Sequence, residues 1–144
     1  EVRGLSAMVK LQWGCSLSES IGASSFLEGS DGDLFLISRD VEKLDLESLR
    51  IDSLGLYFGQ LRNEELRLSI EGSQLVGKIA EKNVVEINEE QLRQWLSGNE
   101  LEINQTDCSG YVIVKHKSDF LGCGKLKDGK ILNFVPKARR VSNL

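Results

Sequence analysis

Proline, histidine and cysteine are scarce in this chain: one, one and three in 144 residues. One proline leaves no proline-rich tract, and no internal repeat or low-complexity segment accompanies it. The single histidine, His116, lies between Lys115 and Lys117. Between two cations on a predicted strand, it reads as a solvated strand histidine rather than a general base. Cys15, Cys108 and Cys123 are odd in number and form no C-x-x-C pair. That pattern fits free thiols in a reducing, cytoplasmic setting. A metal site would need Cys108, His116 and Cys123 together; their spacing matches no zinc pattern and supplies no fourth ligand. The cysteines therefore read as small buried hydrophobes.

Other features are missing altogether. No apolar run approaches the roughly 20 residues of a membrane-spanning helix. The start, EVRGLSAMVKLQWGCS, has no signal-peptide core, and its lack of an initiator Met reads as a trimmed N-terminus. There is no G-x-x-x-x-G-K-[ST] loop and no G-x-G-x-x-G between a strand and a helix. Acids are plentiful, but those at helix starts are ordinarily structural. The expectation is a chain with no catalytic residue, no metal and no cofactor.

What is present is 40% hydrophobic residues, enough for a packed core, and a divided charge. Residues 105–144 carry eight Lys/Arg and three acids, a net +5; residues 1–104 carry ten and nineteen, a net −9. Such asymmetry marks either a polyanion-binding end or a solvated face.

The hydrophobic pattern supplies the elements. Leu5 to Trp13 reads as a helix. SFLEGSDGDLFLIS reads as a β-hairpin around Gly-Ser-Asp-Gly. RDVEKLDLESLRID reads as a helix or irregular turns. SLGLYFGQL and LRLSI pair across Arg62-Asn63-Glu64-Glu65. Ser73 is placed to cap a short helix over Gln74 to Ala80, with Leu75, Val76 and Ile79 inward. Val84 to Ile87 is a strand. INEEQLRQWLSGNELEI then predicts a helix with Asn88 as N-cap, Gln91 completing a capping box, an Ile87–Leu92 staple and Gly98 as terminator. Its apolar face is Leu92, Trp95 and Leu96, and ELEI follows as a strand. The remainder is β: YVIVKH, FLGCGKL and ILNFV, with Asp128-Gly129 as a hairpin turn. Strand, helix and a run of short strands suggest a small barrel covered by one helix.

In that last region Gly122 and Gly124 fall on one face of a strand. A bare face admits a close neighbour, either inside the barrel or from a ligand. Pro136 limits pairing of the last strand, which leaves the tail VPKARR presented at an edge with Phe134 beside it. Cations neutralise phosphates, and aromatics and arginine stack on bases.

The capped helix, its flanking strands and GYVIVKHKSDFLGCGKLKDGKILNF together resemble the PUA domain, over about Asn83 to Val141. The resemblance implies a small pseudo-barrel that binds structured RNA. SLGLYFGQL, LRLSI and LVGKIAEKNVVEINEEQLRQWLSGN also resemble the Nip-seven ribosome biogenesis factors, archaeal and eukaryotic, in which a pre-PUA domain precedes the PUA domain. GYVIVKHKSDFLGCGKLKDGKILNFVPKARR is similar, in addition, to the tail of the nucleolar-protein/Sun family of RNA cytosine methyltransferases. Those enzymes carry a methyl-donor domain with a nucleophilic cysteine, for which this sequence has neither the length nor a donor loop.

The expected fold is α+β: a pre-PUA-like α/β domain with antiparallel strands over residues 1–82, then a PUA-like pseudo-barrel over residues 83–144. The Nip-seven resemblance implies a non-catalytic RNA-binding factor of large-subunit ribosome biogenesis, with ribosomal RNA or a pre-ribosomal particle as partner. The alternatives are an RNA-gripping part acting in trans with an RNA-modifying enzyme, and a protein adaptor with a basic tail. The expected RNA contacts are Lys115, Lys117, Lys125, Lys127, Lys130, Lys137, Arg139 and Arg140, the last four from one surface. Arg62 and Arg67, amid the carboxylates of the acidic half, are expected to be bystanders.

Overall fold

The structure, a computed structural model, describes residues 4–21, 24–37, 55–104 and 107–141. The segment RDVEKLDLESLRID lies outside the described residues. The first helix, α1 (Leu5–Trp13), buries Leu5, Val9 and Trp13, one residue per turn, and stops at Gly14, whose φ of 71° lets its N–H reach the Lys10 carbonyl. A single helical turn, α2 (Ser18–Ile21), follows.

The first sheet is an antiparallel meander of β1 (Ser25–Glu28), β2 (Asp33–Ile37), β3 (Leu56–Arg62) and β4 (Glu65–Leu68), in that order. Both expected hairpins form. Arg62 pairs with Glu65, so Asn63 and Glu64 make a two-residue turn, and both have positive φ, the geometry of a type I′ turn. Gln12 of α1 closes the outer edge of β4: its amide donates to the Leu66 carbonyl at 2.9 Å and accepts from the Leu66 N–H at 2.8 Å.

The next helix, α3 (Ile70–Gly77), begins four residues before the expected start. Ser69, not Ser73, is the cap, accepting from the Gly72 N–H at 2.9 Å. Gly72 reads locally as a breaker, yet it sits inside the helix because a Cβ there would strike the Phe58 carbonyl. Close packing on β3 overrides propensity. Ser73 is fully buried, and Val76 rather than Leu75 or Ile79 is the deepest side chain.

The second sheet has the order β5-β7-β8-β9-β6. Its strands are β5 (Val84–Glu86), β6 (Leu101–Glu102), β7 (Gly110–His116), β8 (Asp119–Lys127) and β9 (Lys130–Asn133). β5 runs parallel to β7 and the other pairs are antiparallel. The sheet curls as a half-barrel. Helix α4 (Glu89–Leu96) connects β5 to β6. Its capping box is complete, with Gln91 N–H to Asn88 Oδ1 at 2.8 Å and Asn88 N–H to Gln91 Oε1 at 3.0 Å. Gly98 follows it at φ 93°.

Successive residues of β7 divide between two cores. Tyr111 and Ile113 join a cluster built on Trp13, Leu34, Phe58 and Val76. Val112 and Val114 join Trp95, Val85, Leu101 and Ile131. The second sheet is thus packed on both faces, one against the elements of the N-terminal half and the other against α4. Trp95 is fully buried over Gly122 and Gly124. A Cβ on Gly124 would stand 2.9 Å from the Trp95 ring and 2.5 Å from the Leu132 carbonyl. The bare glycine face is taken up by internal packing. A register shift between Val114 and Lys115 bulges β8 at this point, where Gly122 has φ 137°.

Candidate nucleic-acid interface

The face of the second sheet turned away from α4 is set by register. Tyr111 lies opposite Lys125, Lys125 opposite Leu132 and Lys127 opposite Lys130, so these side chains share one side. Lys127 and Lys130 flank the Asp128-Gly129 turn, are exposed, and have no ion pair among the described residues. Lys125 is half-buried, with Nζ 5.2 Å from the Tyr111 ring centroid and 3.9 Å from Glu65 Oε1. Tyr111 stands 6.3 Å, centroid to centroid, from Phe134, and the Arg67 guanidinium lies 4.5 Å over the Phe134 ring. A band therefore runs Lys125, Tyr111, Phe134, Arg67: two adjoining rings, the buried Tyr111 and the partly exposed Phe134, with a cation at each end.

Arg67 comes from β4, in the acidic half, and reaches the Phe134 ring of the other half. Its Nη2 donates to Gln60 Oε1 at 3.0 Å, and Arg62 Nε donates to the same oxygen at 2.8 Å. Burial raises the Tyr111 hydroxyl above its ordinary value, while both arginines lie near enough to pull it back. The contact between Arg67 and Phe134 was not expected from the sequence, where the arginine was judged by its neighbours in the chain. The alternating strand LRLSI, antiparallel to SLGLYFGQL, was the available signal that Arg67 points away from Leu66 and Leu68.

The remaining expected contacts scatter. Lys115 lies 5.5 Å over the Phe120 ring. Lys117 sits in the β7–β8 turn at φ 55°, its backbone N–H held by Glu86 at 2.8 Å. The tail is not a free edge. Asn133 bonds the carbonyls of Trp95 and Asn99, and Val141 N–H bonds the Leu96 carbonyl, which straps the tail across the end of α4. Lys137–Arg139 forms a 3₁₀ turn in it, and Lys137 is exposed. Arg139 turns to Glu71, with Nη1 at 2.7 and 2.9 Å from the two carboxylate oxygens. Arg140 turns elsewhere, its Nε on the Val135 carbonyl at 3.0 Å and its guanidinium against Gly98. The expected single surface of Lys130, Lys137, Arg139 and Arg140 is corrected to this extent: the two arginines diverge into separate internal contacts.

His116 is also corrected. It is buried, with Nδ1 2.9 Å from the Ile87 carbonyl, because the β7 end tucks under the turn from β5 into α4. Cys123 is buried in the shared cluster, and burial pushes its thiol up to about 12. Cys15 and Cys108 are shifted upward by burial as well. Thiols held protonated are poor nucleophiles. Among the described residues no three His, Cys, Asp or Glu side chains gather as a metal site.

Between β3, β4, the start of α3 and the segment after β9 lies a cleft of about 240 Å³. Tyr57, Arg67, Ser69, Glu71, Phe134 and Arg139 line it, over a floor that includes Gly122 and Cys123. Tyr57 is 38% exposed, and its hydroxyl donates to Asp33 Oδ1 at 3.3 Å.

The half-barrel sheet with its bridging helix is a PUA-like unit, and residues 82–141 match the family described as the methyltransferase RsmF PUA domain. Three curated relatives, each named ribosomal RNA small subunit methyltransferase F, are similar over most of the chain. That of Vibrio vulnificus (strain YJ016) is 26% identical over 132 residues, covering 92% of this chain and 28% of the relative. That of Aeromonas hydrophila subsp. hydrophila is 27% identical over 111 residues, 77% of this chain and 23% of the relative. That of Vibrio cholerae (strain M66-2) is 23% identical over 107 residues, 74% and 22%. The chain thus spans about a quarter of the length of the curated relatives it matches. The likeness runs to bacterial methyltransferases, in line with the methyltransferase resemblance, and not to an archaeal type of protein.

Proposed function

We propose that this chain grips ribosomal RNA for a methyltransferase of the small subunit, in the cytoplasm, through its PUA-like unit. The observation that carries this is the partly exposed Lys125, Phe134 and Arg67 around the buried Tyr111, extended by the exposed Lys127 and Lys130, which have no ion pair among the described residues, on a unit that matches a methyltransferase PUA-domain family. Cations beside the partly exposed Phe134 ring supply what RNA requires: phosphate neutralisation and a stacking surface. Large-subunit assembly, the reading drawn from the Nip-seven resemblance, gives way, since the relatives bear the name of the small subunit.

The test is the salt dependence of RNA affinity. Changing Lys127 and Lys130 together to Ala should weaken binding and flatten the log–log salt slope by about 1.4, at roughly 0.7 per contact on a single strand. The control is Arg93→Ala. Arg93 lies on α4, across the sheet from the band, and pairs with Glu89 at 3.8 Å. If Arg93→Ala costs as much as the lysine pair, or if binding ignores salt, the interface is wrongly placed and the adaptor reading takes over.

A further inference from the structure

We infer that the cleft beside the band is a seat for one unstacked nucleotide of single-stranded RNA, and that Glu71 occupies its phosphate position in the free protein. The inference rests on the RNA-binding reading and adds a pocket to it. At about 240 Å³ the cleft falls below the roughly 300–1,000 Å³ of sites for drug-sized ligands, which suits part of a nucleotide better than a large cofactor.

Its lining is made of the groups a nucleotide needs. Phe134 and the Arg67 guanidinium offer a flat stacking surface, already paired at 4.5 Å. Arg stacks on bases as well as on rings. Tyr57 presents a partly exposed ring at the same cleft, and with its hydroxyl turned to Asp33 it offers a base its ring face. Arg139 supplies the anion seat. One guanidinium nitrogen lies within 2.9 Å of both Glu71 oxygens, an arrangement a phosphate oxygen can take over. Glu71 and Arg139 are both partly exposed, at 33% and 46% of their side chains, so their ion pair is weak enough to exchange.

The geometry makes an unusual demand: removing an acid from the cleft should tighten RNA binding, whereas a merely structural Glu71–Arg139 bridge gives no such gain. The experiment uses the full chain and a short fluorescein-labelled single-stranded RNA, alone and annealed into a duplex. Glu71→Gln should tighten the single strand about two- to fivefold, the equivalent of releasing an exposed ion pair. The duplex, whose bases stay stacked, should not share the gain. Phe134→Leu keeps apolar volume but loses the ring face, and should weaken the single strand about tenfold. Arg67→Lys keeps the charge and loses the plane, and should also weaken it. A fluorescent purine analogue in the strand should change intensity on binding to wild type and not to Phe134→Leu.

If Glu71→Gln binds no tighter, or tightens strand and duplex alike, the seat is overturned. Should the lysine pair of the hairpin matter while all three cleft variants bind as wild type does, RNA binding stands and the cleft has no part in it. If the lysine pair is silent too, the RNA reading itself fails. Free adenosine monophosphate competing as well as the strand would assign the cleft to a mononucleotide and also overturn the proposal.

Discussion

Cys123 shows how one residue's surroundings decide its chemistry. Its ordinary thiol value is 9.0, and burial carries it to about 12. The folded state holds this proton more tightly than the unfolded one. The associated stability is fully present below about pH 9 and is lost as pH rises from there towards about 12. An alkaline unfolding series should therefore show falling stability in that window, with Cys123→Ala losing less across it than wild type. Gly124 makes the opposite case, since a methyl group there meets Ile131, the Leu132 carbonyl and Trp95. Gly124→Ala should cost about 1–3 kcal/mol by overpacking, measured as a lowered denaturant midpoint. The spacing of Gly122 and Gly124 was legible because strand alternation is a local rule. Their partner was not, because Trp95 arrives from a distant helix. The contact of Arg67 with Phe134 and the burial of His116, which reads as solvated in the sequence, were hidden for the same reason: the fold decides which residue meets which.

The same contrast separates two helices. Every device of α4 lies within its own dozen residues, so cap, capping box, apolar face and terminator could all be read directly. Asn88→Ala should cost about 1 kcal/mol, with a guanidinium melt as the measurement. In α3 the cap lies at Ser69 and glycines stand inside the helix where it touches other elements. Gly72 abuts the Phe58 carbonyl and Gly77 the Phe120 ring. Those contacts are tertiary, and no local pattern announces them. Gly72→Ala, favourable on helix propensity alone, should destabilise the fold instead, because the helix cannot move off β3 without opening the cluster around Phe58 and Val76.

Across the whole molecule the shared cluster matters most. Tyr111, Ile113 and Cys123 of the second sheet pack with Trp13, Phe58 and Val76. A fragment of residues 83–144 alone would bare that face. We expect the two halves to melt as one unit, with single-tryptophan variants Trp13→Phe and Trp95→Phe sharing one midpoint with the far-ultraviolet signal. Two separated midpoints would show that residues 1–82 and 83–144 unfold independently. The isolated chain is further expected to transfer no labelled methyl group to RNA. The strand order of the second sheet carries a consequence for synthesis. β5 pairs with β7, and β6 pairs with β9. Both edge strands leave the ribosome before their partners exist, and β6 waits for β9, the last strand of the described residues. Until Asn133 has emerged, only the local devices of α4 hold that stretch, and an eight-residue helix is marginal alone. The half-barrel must therefore close late and nearly at once, from its final hairpin outward, so the nascent chain carries Trp95 uncovered until the strands that bear Gly122, Gly124 and Ile131 have followed it out.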